Sequence, residues 1–249
     1  MYYFLMIFSV FMGFSSIVSA DQSQHRPFVV VELFSSEGCS SCPAADLLAS
    51  KLTAWARQNN EPVYPLIFHV DYWNNLGWRD VFSQQEFTQR QNNYAKIFKD
   101  QGVYTPEMII NGSDAFVGSD QEKLQNDLDR ELSMPAGIDL RLGLLKQEGD
   151  QIVVKYDAQG FTPGDVINIA LVERGLRTDV TAGENAGRTL HHDNVVREFQ
   201  TIPLTQAVGQ ARIPLNKIAD TAQASVIAYV QDPQTMLIEA AGQLDLEND

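Results

Sequence analysis

The spacing of apolar and polar positions changes character along the chain, and each change predicts an element. Residues 28–34 (Phe-Val-Val-Val-Glu-Leu-Phe) form a continuous apolar run rich in β-branched residues, interrupted only by Glu32 and closed by Ser35-Ser36-Glu37-Gly38. Such a run predicts a buried strand followed by a turn. From Pro43 onward the apolar positions fall at Ala45, Leu48, Leu52, Trp55 and Ala56, a three-and-four spacing that turns one helix face inward. Pro43 suits the first turn of that helix, where a missing N–H costs little. Residues 63–70 predict a second strand, and strand, helix, strand in this order implies a right-handed parallel unit. Phe87, Tyr94, Ile97 and Phe98 recur at helical spacing inside the polar stretch 83–100, which predicts a helix over the sheet. Residues 103–110 and 115–117, joined across Asn111-Gly112, predict an antiparallel hairpin. Ser119 and Glu122 make a capping-box pair ahead of Leu124, Leu128 and Leu132, so a last helix closes near Ser133.

After Pro135 the period becomes two: Ile138, Leu140, Leu142 and Leu144 alternate with Asp139, Arg141 and Gly143. Further strands are predicted at 152–156, 166–172, 195–202, 211–215, 225–230 and 236–240, separated by Gly-, Pro- or Asp-containing turns. Seven short strands of this kind predict an antiparallel β-sandwich. The connection over 175–194 breaks the pattern, being too long and too rich in glycine for an ordinary hairpin, and loops of that length are often functional.

The N-terminus and the charge narrow the setting. Residues 1–20 carry no charged side chain, and their apolar run 4–18 ends in Val18-Ser19-Ala20, a small-x-small cleavage pattern. This predicts a secretory signal peptide, and a membrane anchor only if the leader stays uncleaved. The expected location is therefore periplasmic or secreted, in an oxidising compartment where disulfides persist. With 32 acidic against 18 basic side chains the net charge is -14, and no Lys/Arg run offsets it locally. Nucleic acid is excluded as a partner by repulsion from its phosphates. A chain of 249 residues buries a core without crosslinks, so its two cysteines need a more specific reason.

Cys39-Ser-Ser-Cys42 lies between the first predicted strand and the first turn of the helix. Unpaired N–H groups and the positive end of the helix dipole favour a thiolate there. Cys39, the more exposed, becomes the attacking thiol, and Cys42, further into the helix, resolves the mixed disulfide. This chemistry calls for a protein or peptide thiol/disulfide client and a redox partner, and for no cofactor. The alternatives are an inert crosslink in a noncatalytic binding module, or a copper or zinc site built from Cys39, Cys42, His69 and His192. As a staple the pair is poor, because closing so short a ring removes little chain entropy. His69 and Asp71, two apart on the second strand, share a face near its C-terminal end. Tyr72, Trp73 and Trp78 follow, either as an aromatic ledge for substrate or as a cover for the sheet end. In the long loop, Arg188, His191 and His192 lie among glycines. If that loop reaches the first half of the chain, Arg188 brings positive potential toward Cys39; otherwise the loop is a solvated tip. Asn111-Gly-Ser113 matches a glycosylation sequon that the hairpin turn already explains.

With these residues the chain resembles the thioredoxin superfamily. Thr105-Pro106 looks like that superfamily's cis-proline, which faces the cysteine pair, with the backbone of Thr105 placed to bind an extended substrate. Glu32 resembles the buried acid that accepts a proton in thioredoxins. More narrowly, Glu-Leu-Phe-Ser-Ser-Glu-Gly-Cys-Ser-Ser-Cys-Pro (32–43), Phe-His-Val-Asp-Tyr-Trp (68–73) and Gly-Glu-Asn-Ala-Gly-Arg (183–188) resemble the signatures of a family of exported thioredoxin-like proteins of unknown function. The resemblance implies an α/β thioredoxin-like domain over 27–133 followed by an all-β antiparallel sandwich over 136–245. It also implies a thiol–disulfide oxidoreductase in which Cys39, Cys42 and Glu32 are catalytic and Thr105, Pro106, Trp73, Asp71 and Arg188 meet the substrate. It supplies no substrate.

Overall fold

The computed structural model describes residues 26–246, so the leader predicted over 1–20 lies outside the described residues. The first half runs β1 (Val29–Ser35), α1 (Cys42–Asn59), β2 (Val63–His69), α2 (Gln85–Phe98), β3 (Glu107–Ile110), β4 (Asp114–Val117) and α3 (Gln121–Leu132). The second half is strands: β5 (Asp139–Glu148), β6 (Gln151–Gln159), β7 (Val166–Glu173), β8 (Leu176–Asp179), β9 (Thr189–His192), β10 (Val195–Pro203), β11 (Val208–Pro214), β12 (Ala224–Gln231) and β13 (Ile238–Asp245).

β1 pairs in parallel with β2 and antiparallel with β3, which forms a hairpin with β4. Beyond β2 the sheet continues into the second half. Val195 of β10 pairs in parallel with Ile67, Ile67 N donates to Asn194 O at 3.0 Å, and Asn194 Nδ2 donates to Pro65 O at 2.9 Å. With β7, β12 and β13 added antiparallel, eight strands form one mixed sheet in the order β13-β12-β7-β10-β2-β1-β3-β4. A three-stranded sheet, β11-β6-β5, and the β8-β9 hairpin lie outside it.

This corrects the expected architecture. An α/β thioredoxin-like domain followed by a self-contained all-β sandwich does not form; the protein is mostly β and is organised on a single mixed sheet. The reason is visible in β7 and β12, which are buried on both faces. Ile167, Ile169, Leu171, Val226 and Ala228 pack on one side against Ile152, Val154 and Ile213 of the smaller sheet. Ala170, Val172, Ile227 and Tyr229 pack on the other with Phe34, Phe68, Phe87 and Tyr94. A sandwich strand keeps one face polar for water. These strands have two apolar faces, and the second is covered only by joining the sheet and helix of the first half.

Opposite α2, the helices α1 and α3 cover the other face of β1–β4, with Ala45, Ala49, Leu52, Leu124 and Leu128 on Val31, Leu33, Ile67 and Ile110. Trp55, expected on the inward stripe of α1, is 40% exposed because the small residues Ala49 and Ala56 make the close contact with the sheet. The cap of α3 is Asp120, whose side chain accepts from Lys123 N at 2.9 Å, one residue beyond the expected Ser119. No helix among the described residues is long and apolar enough to cross a membrane.

Candidate functional site

β1 ends at Ser35, and the turn 36–41 leads directly into α1, whose first residue is Cys42. Cys39 N donates to Ser36 O at 3.1 Å and Cys42 N to Cys39 O at 3.3 Å, so the turn is held by its own backbone. Cys39 and Cys42 form a disulfide. The Ser41 hydroxyl lies 3.2 Å from Cys39 Sγ, and the carbonyl oxygen of Thr105 lies 3.8 Å from the same sulfur. The Thr105-Pro106 peptide is cis. Trp73 donates through Nε1 to Thr105 Oγ1 at 2.8 Å, which fixes the indole beside the disulfide, and its Cβ packs so closely on Gly38 that a side chain there would meet it at 3.2 Å. Cys39, expected to be exposed, is 1% exposed and Cys42 0%.

The cover comes from the long connection, which is itself a hairpin, β8 paired with β9, with a tip over 180–188. The buried Asn185 donates through Nδ2 to the carbonyls of Glu37 (2.8 Å) and Cys39 (2.9 Å), while Glu184 accepts from Ser40 N at 3.0 Å. The hydroxyl and the N–H of Ser40 hold the Glu184 carboxylate below its usual range. Gly183 and Gly77 make this docking possible: both have positive φ, and a Cβ on Gly183 would meet the Cβ of Trp78 at 3.0 Å. The expectation that this loop packs on the first half near Cys39 agrees with this geometry, but through Asn185 and Glu184. Arg188 is exposed and donates to Asn185 Oδ1 at 2.8 Å, so it braces the residue that makes the contact.

Other expected site residues are dispersed. Asp71 accepts from Thr88 Oγ1 at 2.6 Å at the start of α2. Glu32 shares a face of β1 with Val30 and Phe34, opposite the face covered by α1, and so is not brought to the cysteines. Arg90 grips it with Nε and Nη2 at 2.8 and 3.0 Å, and the hydroxyls of Tyr94 and Tyr229 also donate to it. The proton-acceptor role implied by resemblance therefore falls on a carboxylate already committed to a buried ion pair.

Sequence reasoning did not foresee Glu37, Asp46 and Asp80, which are buried around the turn into α1. His69 Nδ1 lies 2.7 Å from Asp80 Oδ2; burial pulls the imidazole pKa down, but Asp80, with Asp46 and Glu37, outweighs this and holds it above its ordinary value. Burial pushes Asp80 up, but the His69 charge and the N–H groups of Glu37 and Phe82 hold it below the usual range. Trp78 Nε1 donates to Glu37 Oε2 at 2.9 Å and Ser35 Oγ to Asp46 Oδ1 at 2.6 Å. His192 joins them, its ring centroid 5.0 Å from that of His69. The metal alternative did name these two histidines, but among the described residues no group of three or more His, Cys, Asp or Glu is spaced to hold a metal ion. One local signal was available: Asp46, four residues after Cys42, is an acid on the apolar stripe of α1.

The strap formed by residues 180–188 can be loosened without touching the sulfurs. Asn185→Ala removes the two hydrogen bonds that tie the strap to the turn, each contributing about 1 kcal/mol, along with the one it accepts from Arg188. Reduction of the disulfide by a small water-soluble thiol should accelerate on the order of 10-fold, read by stopped-flow trapping of the freed thiols. An unchanged rate would mean that the strap does not limit access.

Fold and site together define a mostly β protein on one mixed sheet, with a Cys-x-x-Cys disulfide at a helix N-terminus beneath a hairpin strap. The chain belongs to the family described as protein of unknown function (DUF1223), which matches residues 30–231. It is similar to the crystal structure of protein AGR_C_4864 from Agrobacterium tumefaciens, at 28% identity and a TM-score of 0.65, over 91% of this chain and 97% of that one. A domain of the outer membrane lipoprotein Omp28 from Porphyromonas gingivalis aligns at 18% identity and a TM-score of 0.25, over 45% of this chain and 89% of that one. No curated protein shows significant similarity to the chain.

Proposed function

We propose that this protein is an exported thiol–disulfide oxidoreductase that exchanges its Cys39–Cys42 pair with thiols or disulfides of a protein or peptide client. The observation that carries the reading is the place of the disulfide: it closes the turn into α1, with the Thr105 carbonyl oxygen 3.8 Å from Cys39 Sγ. A thiolate formed in that turn is favoured by the free N–H groups and dipole of α1. A client thiolate attacks Cys39 Sγ, the disulfide breaks, and its electron pair goes to Cys42 Sγ; in the opposite direction the Cys42 thiolate attacks the mixed disulfide and releases the client. The backbone at Thr105, with Trp73 beside it, suits an extended client segment. Likeness to thioredoxin-superfamily sites at 39–43 and 105–106 belongs to this reading, and export rests on the leader pattern over 1–20.

The burial of both cysteines favours a second reading, an inert crosslink within a noncatalytic binding module. The reduction potential separates the two. An exchanging pair should equilibrate with glutathione buffers, above about -300 mV, and in reduced protein Cys39 should be alkylated before Cys42. A potential below that value, with equal and slow labelling, would establish the crosslink.

A further inference from the structure

Around the turn into α1, five ionisable side chains from five segments meet out of water. Glu37 comes from the turn before Cys39, Asp46 from α1, His69 from the end of β2, Asp80 from the β2–α2 connection and His192 from β9, and none is more than 5% exposed. Filling the same space with apolar side chains would stabilise a fold as well or better. His69 and Asp80 pair with each other. The rest of the cluster is left open. His192 Nε2 lies 3.3 Å from Glu37 Oε1 and Nδ1 lies 3.8 Å from Asp46 Oδ2, yet neither ring nitrogen, nor Glu37 Oε1, makes a hydrogen bond. Asp46 follows Cys42 by one helical turn, which puts their Cβ atoms about 5–6 Å apart on one buried face. Helical side chains lean toward the N-terminus, so the Asp46 carboxyl leans toward Cys42.

We infer that Asp46 is the acid–base group that exchanges a proton with Cys42, and that His192, on the β9 strand that follows the strap, is the positioning residue that faces the Asp46 carboxylate. This rests on the redox reading above. When a client thiolate attacks Cys39, the S–S electron pair passes to Cys42 Sγ, which takes the proton of Asp46; the carboxylate left behind faces His192. In the reverse direction the Asp46 carboxylate removes the Cys42 thiol proton, the Cys42 thiolate attacks Cys39 Sγ of the mixed disulfide, and the client departs as a thiolate. Burial keeps the Asp46 proton on to higher pH than in a free carboxyl, with Asp80 adding to the effect, against His192, His69 and the Ser35 hydroxyl. Glu37 faces the other ring nitrogen of His192. The β8–β9 hairpin thereby serves the chemistry through His192 as well as covering it through its tip.

The test follows resolution of the mixed disulfide formed between the reduced, full-length protein and oxidised glutathione, across pH. In the wild type the rate should show an acid limb from Asp46. Asp46→Asn keeps the shape of the side chain and its capacity to accept from Ser35, so resolution should slow about 100-fold and follow only the titration of the Cys42 thiol. His192→Gln should move the acid limb and leave a measurable rate. An Asp46→Asn rate and pH profile equal to wild type would overturn the inference. Should that variant fail to fold, the infrared difference spectrum between oxidised and reduced wild-type protein decides: a protonated-carboxyl band that changes with redox state supports the assignment, and its absence overturns it. A wild type that never exchanges with glutathione sinks the redox reading and this inference together, whereas an active wild type with an unaffected Asp46→Asn sinks only the latter.

Discussion

Cys39→Ser is expected to lower thiol–disulfide exchange by on the order of 10³-fold or more, because no mixed disulfide can then form at the position flanked by Ser41 and Thr105. Cys42→Ser should fail differently. Cys39 still attacks, but nothing resolves the product, so a stoichiometric adduct with the client should accumulate and be released by a small dithiol. Mass spectrometry of the two variants after incubation with a disulfide peptide reads both outcomes. Equal residual rates, or an adduct on Cys42 in the Cys39→Ser protein alone, would reverse the assignment of the two thiols. The asymmetry follows from position, since Cys39 belongs to the turn and Cys42 is already helical, above Asp46.

The second large effect concerns stability. The Arg90 guanidinium donates to both oxygens of Glu32 and lies 5.1 to 5.8 Å from the ring centroids of Phe68, Tyr94, Phe199 and Tyr229. Glu32 is fully buried. Arg90→Ala strands its charge and opens a hole among four rings, so unfolding free energy should drop by about 3–5 kcal/mol. With a urea slope of a few kcal/mol per molar, the midpoint should fall by roughly 1–2 M. Combining Arg90→Met with Glu32→Leu should recover much of the loss, since the pair would be replaced by apolar volume. A loss below about 1 kcal/mol for Arg90→Ala would mean that water reaches Glu32. The cluster joins β1, α2 and β12, so it fastens the two halves of the chain to each other.

Much of the local structure was legible. The strand before the cysteines, the helix after them, the Asn111-Gly112 hairpin and most of the later strands follow from periods of two and 3.6 and from turn residues, all of which act within a few positions. Trp55 shows a limit of such reasoning, since a stripe says which side faces in but not how close small neighbours bring the helix. The run 166–173 shows another. Its strand character is plain and its two apolar faces say that both must be covered, but nothing within the run says which elements cover them.

The sequence by itself determined the chemistry that is present: a Cys-Ser-Ser-Cys pair at a strand-to-helix turn, an acidic surface, and a glycine-rich segment too long to be idle. Only the tertiary structure decided what that chemistry touches. It carried Asn185 onto the carbonyl of Cys39 across 146 positions and Tyr229 onto Glu32 across 197. It took Glu32 to the far face of the sheet and gathered Glu37, Asp46, His69, Asp80 and His192 around the turn into α1. Contacts over such separations leave no periodic trace in the chain, because they are selected by which buried faces remain uncovered once the local elements have formed.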